Sequence, residues 1–410
     1  MANKPPINRI SGNYKILNVL GQGCYGDVVE CFKRDTEETV AVKVVKQRNS
    51  RRSNMREMLV LEQLRCLDPD ESNIVRCLEW FHRSDRSFMV FEKLDMSLHE
   101  YMTRRKWVPM PLDGIKTVIR DVATALSALK GLDLIHTDLK LDNVLLVHHQ
   151  TQPFRVKVID FGLCLETSEA SPHLCVQPIC YRSPEVILGL SFTEAIDIWS
   201  LGLVMAELLL GFRLFPGKHV YDTLRFMVDL LGDPPNRLLD GGINTGLFCR
   251  GTYKYRMFRR WTLMTPMDFQ AETGIKPSEN RRHQFSSLDD LKTLSAHQTN
   301  TDAADRNACV ELLKRMLQMD PRNRITPNNI LAHPFITRST GNSCRDETLP
   351  AATSWSQAIS NKDVIVVLPA EKTTQSCHIM MIADSVISGI LAPDVVQKDF
   401  GHQVHDVECD

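Results

Sequence analysis

Residues 134–162 carry four side chains that together could move a phosphoryl group: Asp138, Lys140, Asn143 and Asp160. The stretch opens Leu134-Ile135-His136-Thr137-Asp138-Leu139-Lys140-Leu141-Asp142-Asn143. After a polar turn it closes Val156-Lys157-Val158-Ile159-Asp160-Phe161-Gly162. A hydroxyl attacking phosphorus needs a carboxylate to take its proton, the transferring group needs a cation, and magnesium needs hard oxygen ligands. Asp138, Lys140, and the pair Asn143 and Asp160 supply these in turn. Short apolar strands are expected around the loop, with Asp160 delivered against a glycine.

Such groups work only if other elements hold them. Residues 14–33 predict a β-hairpin with Gly21, Gly23 and Gly26 at its turn, where bare backbone amides can fold over phosphates. Thr39-Val40-Ala41-Val42-Lys43-Val44-Val45 predicts a strand with one cation at its centre. The helical stretch after it has Met55, Met58, Leu59, Leu61 and Leu64 as its apolar side, with Glu57 just ahead of that face. Glu57 is placed to orient Lys43, and Glu62 is a poorer rival because it comes later in the helix. Phe88 to Leu94 reads as a strand running into a turn. Apolar residues at 115, 118, 119, 122, 126 and 129 predict a helix over 112–132 beneath the Asp138 loop. Residues 195–210 are apolar on nearly every side, as a central buried helix must be, which makes Asp197 costly unless it is hydrogen-bonded.

With these motifs in order, residues 136–143 and 160–162 resemble the catalytic loop and the Asp-Phe-Gly magnesium loop of eukaryotic protein kinases. The resemblance implies an α+β bilobal fold, with a small antiparallel-sheet lobe bearing one helix and a larger, mainly helical lobe. It implies a small lobe at 14–94, a large lobe at 95–336 with an insert at about 216–291, a 1–13 arm and a 337–410 tail. It also implies ATP and Mg2+. ATP would meet Leu20, Gly21, Gln22, Gly23, Cys24, Tyr25, Gly26, Val28, Ala41, Lys43, Glu57, Phe91, Glu92 and Leu94. Asp138 and Lys140 would be catalytic, and Asn143 and Asp160 would hold metal. Phe91 would guard the back of the adenine pocket, and Asp197 would cap the catalytic-loop backbone. Glu185, in Ser183-Pro184-Glu185, would form a buried ion pair with Arg324.

The stretches from Cys180 to Leu190 and Glu194 to Gly202, with the long insert, are similar to the homeodomain-interacting protein kinases. That likeness implies a Ser/Thr kinase acting in nucleus or cytoplasm on protein substrates, transcriptional regulators among them, with Pro after the acceptor as the expected preference. A kinase-shaped scaffold that binds nucleotide without turnover is the alternative. Two positions depart from the common pattern. Thr137 stands where most kinases carry Arg, an arginine that the resembled family also lacks. Cys175 replaces the family's self-phosphorylated tyrosine, whose arginine partners fall at Ile179 and Arg182, so activity is expected to be independent of activation-segment tyrosine phosphorylation.

Composition narrows the rest. A chain of 410 residues, 43% hydrophobic, is long enough for two lobes with substantial cores. Lys and Arg total 49 against 50 Asp and Glu, so no global field favours nucleic acid or an acidic membrane, and neither partner is expected. The basic run from Lys254 to Arg260 reads as a solvated face of the insert, and Arg48, Arg51 and Arg52 as a solvated loop. The 12 cysteines show no paired spacing suited to zinc, and no signal peptide or spanning run is read, so an intracellular location is expected. In the tail, residues 364–368 are a candidate strand and 379–391 a candidate docking helix.

Overall fold

The computed structural model describes residue 10 and residues 12–22, 26–45, 51–83, 86–254, 258–294 and 303–338. Gly23, Cys24, Tyr25, Arg48, residues 255–257 of the basic run and both candidate tail segments lie outside the described residues. The chain divides into two compact units, Met1–Ala352 and Thr353–Asp410, and all the described residues belong to the first.

The first five strands form one antiparallel sheet in the order β1-β2-β3-β5-β4: β1 (Tyr14–Gln22), β2 (Gly26–Lys33), β3 (Glu38–Val45), β4 (Cys77–Arg83) and β5 (Arg86–Glu92). Alternation along β3 sorts its side chains. Val40, Val42 and Val44 enter a small core with Ile10, Tyr14, Val29, Cys31, Phe88 and Val90. The opposite face carries Ala41, Lys43 and Val45. Helix α1 (Arg51–Leu64) joins β3 to β4.

The expected apolar face of α1 needs correction. Met58, Val60, Leu61 and Leu64 are buried, but Met55 and Leu59 are 61% and 60% exposed. The helix turns Glu57 inward, and residues at 57, 60, 61 and 64 share that side at 3.6 residues per turn. Positions 55 and 59, four apart, then share an outward side. Glu62 also points to solvent and pairs with Arg65 at 3.1 Å.

The large lobe is built on α3 (Leu112–Gly131) and α5 (Ala195–Leu210), after the short α2 (Leu98–Arg104). The apolar stripe of α3 is buried, with Ile115, Val118, Ile119 and Val122 all fully enclosed. Helix α5 is buried from Ile196 to Leu210. Each such aliphatic side chain contributes about 1.5–3 kcal/mol on full burial. Between these helices run β6 (Leu134–Ile135), β7 (Val144–His148), β8 (Gln152–Val158) and β9 (Leu165–Glu166), paired β6 with β9 and β7 with β8. Helix α4 (Pro184–Leu188) presents Glu185 to Arg324, whose two terminal nitrogens lie 2.6 and 3.0 Å from the carboxylate oxygens, both side chains fully buried. The insert is folded: it holds α6 (Val220–Leu231), the hairpin of β10 (Cys249–Lys254) and β11 (Phe258–Leu263), and a helix at Pro266–Thr273. Among the described residues, no helix is long and apolar enough to cross a membrane.

Candidate active site

Lys43 is the junction of the site. Its Nζ lies 2.6 Å from Glu57 Oε1 and 2.8 Å from Asp160 Oδ1, so one cation joins β3, α1 and the residue two positions beyond β8. Burial alone would push the Lys43 ammonium towards losing its proton, but Asp160 and Glu57 outweigh it and hold the pKa above its ordinary value. Asp160 keeps 35% of its side chain exposed, and its partial desolvation is outweighed by the Lys43 charge and hydrogen bond, which bring its carboxyl below the usual range. Glu57 goes the other way, raised by burial with Asp160 adding to the effect and Lys43 opposing it. Gly162 lies against this cluster: a Cβ there would come into contact, at 3.4 Å, with both Asp160 Oδ1 and Glu57 Oε2.

Across the sheet, Val28 pairs with Lys43 and Lys43 with Met89, while Ala41 pairs with Phe91. The chain leaves β5 at Glu92 and reaches a buried Leu94. Gly21 and Gln22 end β1 opposite Val28 and Asp27, and Gly26 opens β2 so close to β3 that a Cβ would lie 2.6 Å from the Val44 carbonyl oxygen. Leu20 is 44% exposed on β1.

The loop after β6 is held by Asp197 of α5. Its Oδ2 accepts the His136 N–H at 2.7 Å and its Oδ1 the Thr137 N–H at 2.9 Å. Burial pushes the Asp197 carboxyl up, opposed by His136 and these two amides. Thr137 adopts φ +66°, a left-handed conformation uncommon for a β-branched residue, and its hydroxyl donates to the Leu163 carbonyl at 2.7 Å. This turn presents Asp138, whose Oδ2 accepts from Lys140 Nζ at 2.8 Å and Asn143 Nδ2 at 3.0 Å. Asn143 also donates to the Asp138 carbonyl at 2.8 Å, while its own carbonyl accepts the Ile159 N–H at 3.0 Å. Asp160 follows with φ +63°.

The sequence-predicted groups therefore form two neighbouring clusters, Lys43 with Glu57 and Asp160, and Asp138 with Lys140 and Asn143, the Lys140 charge acting on the Asp160 carboxyl. The protein kinase domain family matches residues 14–336. The chain belongs to that family. Its kinase domain is similar to homeodomain-interacting protein kinase 2 of Mesocricetus auratus, 43% identical over 336 residues covering 80% of this chain and 29% of that protein. It is similar also to homeodomain-interacting protein kinase 1 of Mus musculus, 42% identical with 80% and 28% covered, and to kinase 4 of Homo sapiens, 37% identical with 82% and 57% covered. The chain thus spans 57% of the length of kinase 4 and under a third of kinases 1 and 2.

Three features of this kinase domain escaped the sequence. Lys157, wholly buried, reaches Glu92 at 2.6 Å and Asp70 at 2.8 Å, tying β8 to the chain leaving β5. A lysine between two buried valines, Val156 and Val158, was the signal. Tyr181, buried in the segment before α4, donates its hydroxyl to the buried Glu207 of α5. Burial and the Glu207 charge raise the Tyr181 pKa well above its ordinary value. Arg182 is enclosed without a carboxylate: its Nε donates to the Val176 and Gln177 carbonyls at 3.0 and 3.1 Å, and Nη2 to Gln177 at 2.8 Å. Gln177 is itself in the left-handed region at φ +65°.

Proposed function

We propose that this chain is an ATP-dependent protein serine/threonine kinase that uses magnesium. The observation that carries the reading is Lys43 bonded at once to Glu57 and Asp160, beside an Asp138 oriented by Lys140 and Asn143. Asp138 Oδ2 is occupied by Lys140 and Asn143, which leaves Oδ1 to take the proton of an incoming Ser or Thr hydroxyl. Lys140 can turn from Asp138 to the transferring phosphate. Lys43 positions the nucleotide phosphates, with Glu57 fixing its direction. The adenine would fall among Leu20, Val28, Ala41, Phe91 and the backbone of Glu92 to Leu94. Asp160 and Asn143 offer hard oxygen donors suited to magnesium, and the low Asp160 pKa keeps that donor ionised. Magnesium held by Asp160 and Asn143 would supply positive charge against the phosphate oxygens. Catalysis rests on positioning and charge stabilisation.

Arg182 supports a preference for proline after the acceptor. Its guanidinium takes up the Val176 and Gln177 carbonyls, so these backbone acceptors are not available to the N–H of the following substrate residue. Proline has no such N–H to satisfy. The relatives are named for interaction with homeodomain proteins, and transcriptional regulators of that type are the partner class we assign to this chain.

The test is transfer of labelled γ-phosphate from ATP by purified protein, beside Asp138→Asn. Transfer that vanishes in the variant, with nucleotide binding kept, is expected. Full activity in the variant would exclude Asp138 as the base, and no transfer by the parent protein, with binding intact, would leave a nucleotide-binding scaffold.

A further inference from the structure

Glu57 can orient Lys43 only while α1 stays against the large lobe, and beside the apolar packing of Met58, Val60, Leu61 and Leu64 the helix makes polar contacts outside that face. On the helix, Arg56 and Gln63 are seven residues apart, two turns, and so share one face. Each meets a carboxylate of the segment after Gly162. Arg56 Nη2 is ion-paired with Glu169 Oε2, and Gln63 Nε2 donates to Glu166 Oε1 at 3.4 Å.

These two glutamates are fixed from below. Glu169 Oε2 accepts the Glu166 N–H at 3.0 Å, closing a tight turn over Thr167–Glu169. Glu166 and Leu165 pair with Leu134 and Ile135, the two residues immediately before the Asp138 loop. The Thr167 N–H and hydroxyl both donate to the Asp133 carbonyl, at 2.8 and 3.0 Å. One short turn therefore touches the base of the catalytic loop on one side and the Glu57-bearing helix on the other.

We propose that Arg56 and Glu169 are positioning residues for phosphoryl transfer: a clasp, made of the chain's own carboxylate, that holds α1 and Glu57 in place without a phosphate on the activation segment. Built-in anion and cation face each other across the two lobes, the arrangement an added phosphate would otherwise create. The inference rests on the kinase reading for its rate predictions, but nucleotide affinity tests it independently.

Both side chains are partly exposed, so the pair shifts the equilibrium between engaged and released α1 by only about two- to fivefold. Phosphatase-treated protein is compared as parent, Arg56→Ala, Glu169→Ala, the double variant, and the reversed pair Arg56→Glu with Glu169→Arg. Two quantities are read: the Kd of Mg·ATP, and kcat/KM. Each single variant is expected to weaken both about two- to fivefold with an unchanged melting temperature. The double variant should be no worse than Glu169→Ala, the reversed pair, which restores the ion pair but not the bond to the Glu166 N–H, should recover part of the loss, and high salt should flatten the differences.

Additive losses, or no recovery on reversal, would overturn the clasp. So would a treated parent protein that loses its activity, because a phosphate would then be doing the work. A parent protein without transfer would sink the kinase reading alone, and the Kd series would still decide the clasp.

Discussion

Lys157 should be far cheaper to remove than the carboxylate it serves. Its side chain is wholly inaccessible, whereas those of Glu92 and Asp70 are 23% and 53% exposed. Replacing Lys157 by Met keeps the apolar stem and deletes the buried ammonium. The two carboxylates left behind can still reach water, and both have other donors: Glu92 Oε1 accepts the Arg76 N–H at 2.7 Å, and Asp70 pairs with Arg76 at 2.8 Å. The cost of Lys157→Met is therefore about 0–1 kcal/mol. Glu92→Leu does the opposite, leaving an enclosed ammonium with only the half-exposed Asp70. Breaking a buried pair from one side costs about 3–5 kcal/mol, and the remaining Asp70 contact reduces this to about 2–4. Urea unfolding of the two single variants and the double variant measures all three values. The double variant should sit close to Lys157→Met, since the stranded charge is gone. Equal costs for the single variants, or strict additivity in the double, would refute the argument that the buried ammonium is the expensive partner.

Asp197→Ala orphans the His136 and Thr137 amides and removes what holds Thr137 at φ +66°. At about 1–3 kcal/mol for each buried donor, the loop should relax and kcat fall by about 10²-fold, while the KM for ATP stays near its parent value. Steady-state kinetics separates these, and a loss confined to KM would contradict the assignment. Tyr181→Phe leaves the buried Glu207 carboxylate with only Arg213, 3.6 Å away, and should cost about 1–3 kcal/mol in urea. Because a phosphate on Tyr181 would place a second anion beside Glu207, mass-spectrometric mapping of active protein should find Tyr181 unmodified. Glu279, bonded to Arg281 and Arg225, has its pKa lowered from 4.5 to about 2. A depressed carboxyl stabilises the fold above its unfolded pKa and loses that contribution as pH drops towards its folded one. The melting-temperature gap between parent and Glu279→Gln should accordingly be largest above pH 5 and narrow towards pH 3. A gap that does not change with pH would exclude the linkage.

What the sequence revealed and what it withheld divide along range. The Asp138 loop, the β3 lysine and the α3 and α5 helices were legible because each announces itself within a few residues, through period, glycine placement or one charge in an apolar run. Glu57 was preferred over Glu62 because Glu62 comes later in the helix, and it is Glu57 that meets Lys43 at 2.6 Å while Glu62 pairs with Arg65. The face itself was misjudged at Met55 and Leu59, since α1 carries more apolar residues than its inner side can cover, and the choice among them is made by the Lys43 contact. Lys157 with Glu92, and Arg56 with Glu169, are separated by 65 and 113 residues. No local periodicity encodes such pairs; they exist only once the strands and helices are packed. The enclosure of Arg182 by carbonyls depends on the φ of Gln177, a residue whose side chain gives no hint of a left-handed backbone.

The double attachment of Lys43 has a consequence for how tightly the site can hold ATP. The ammonium touches two carboxylates, so on the kinase reading the phosphates of ATP would share it with them. Affinity then measures the difference between two competing pairs and not the strength of either. On the kinase reading, the charge Lys43 offers a phosphate would be what Glu57 and Asp160 leave uncompensated, and turnover would depend on that balance around a single nitrogen.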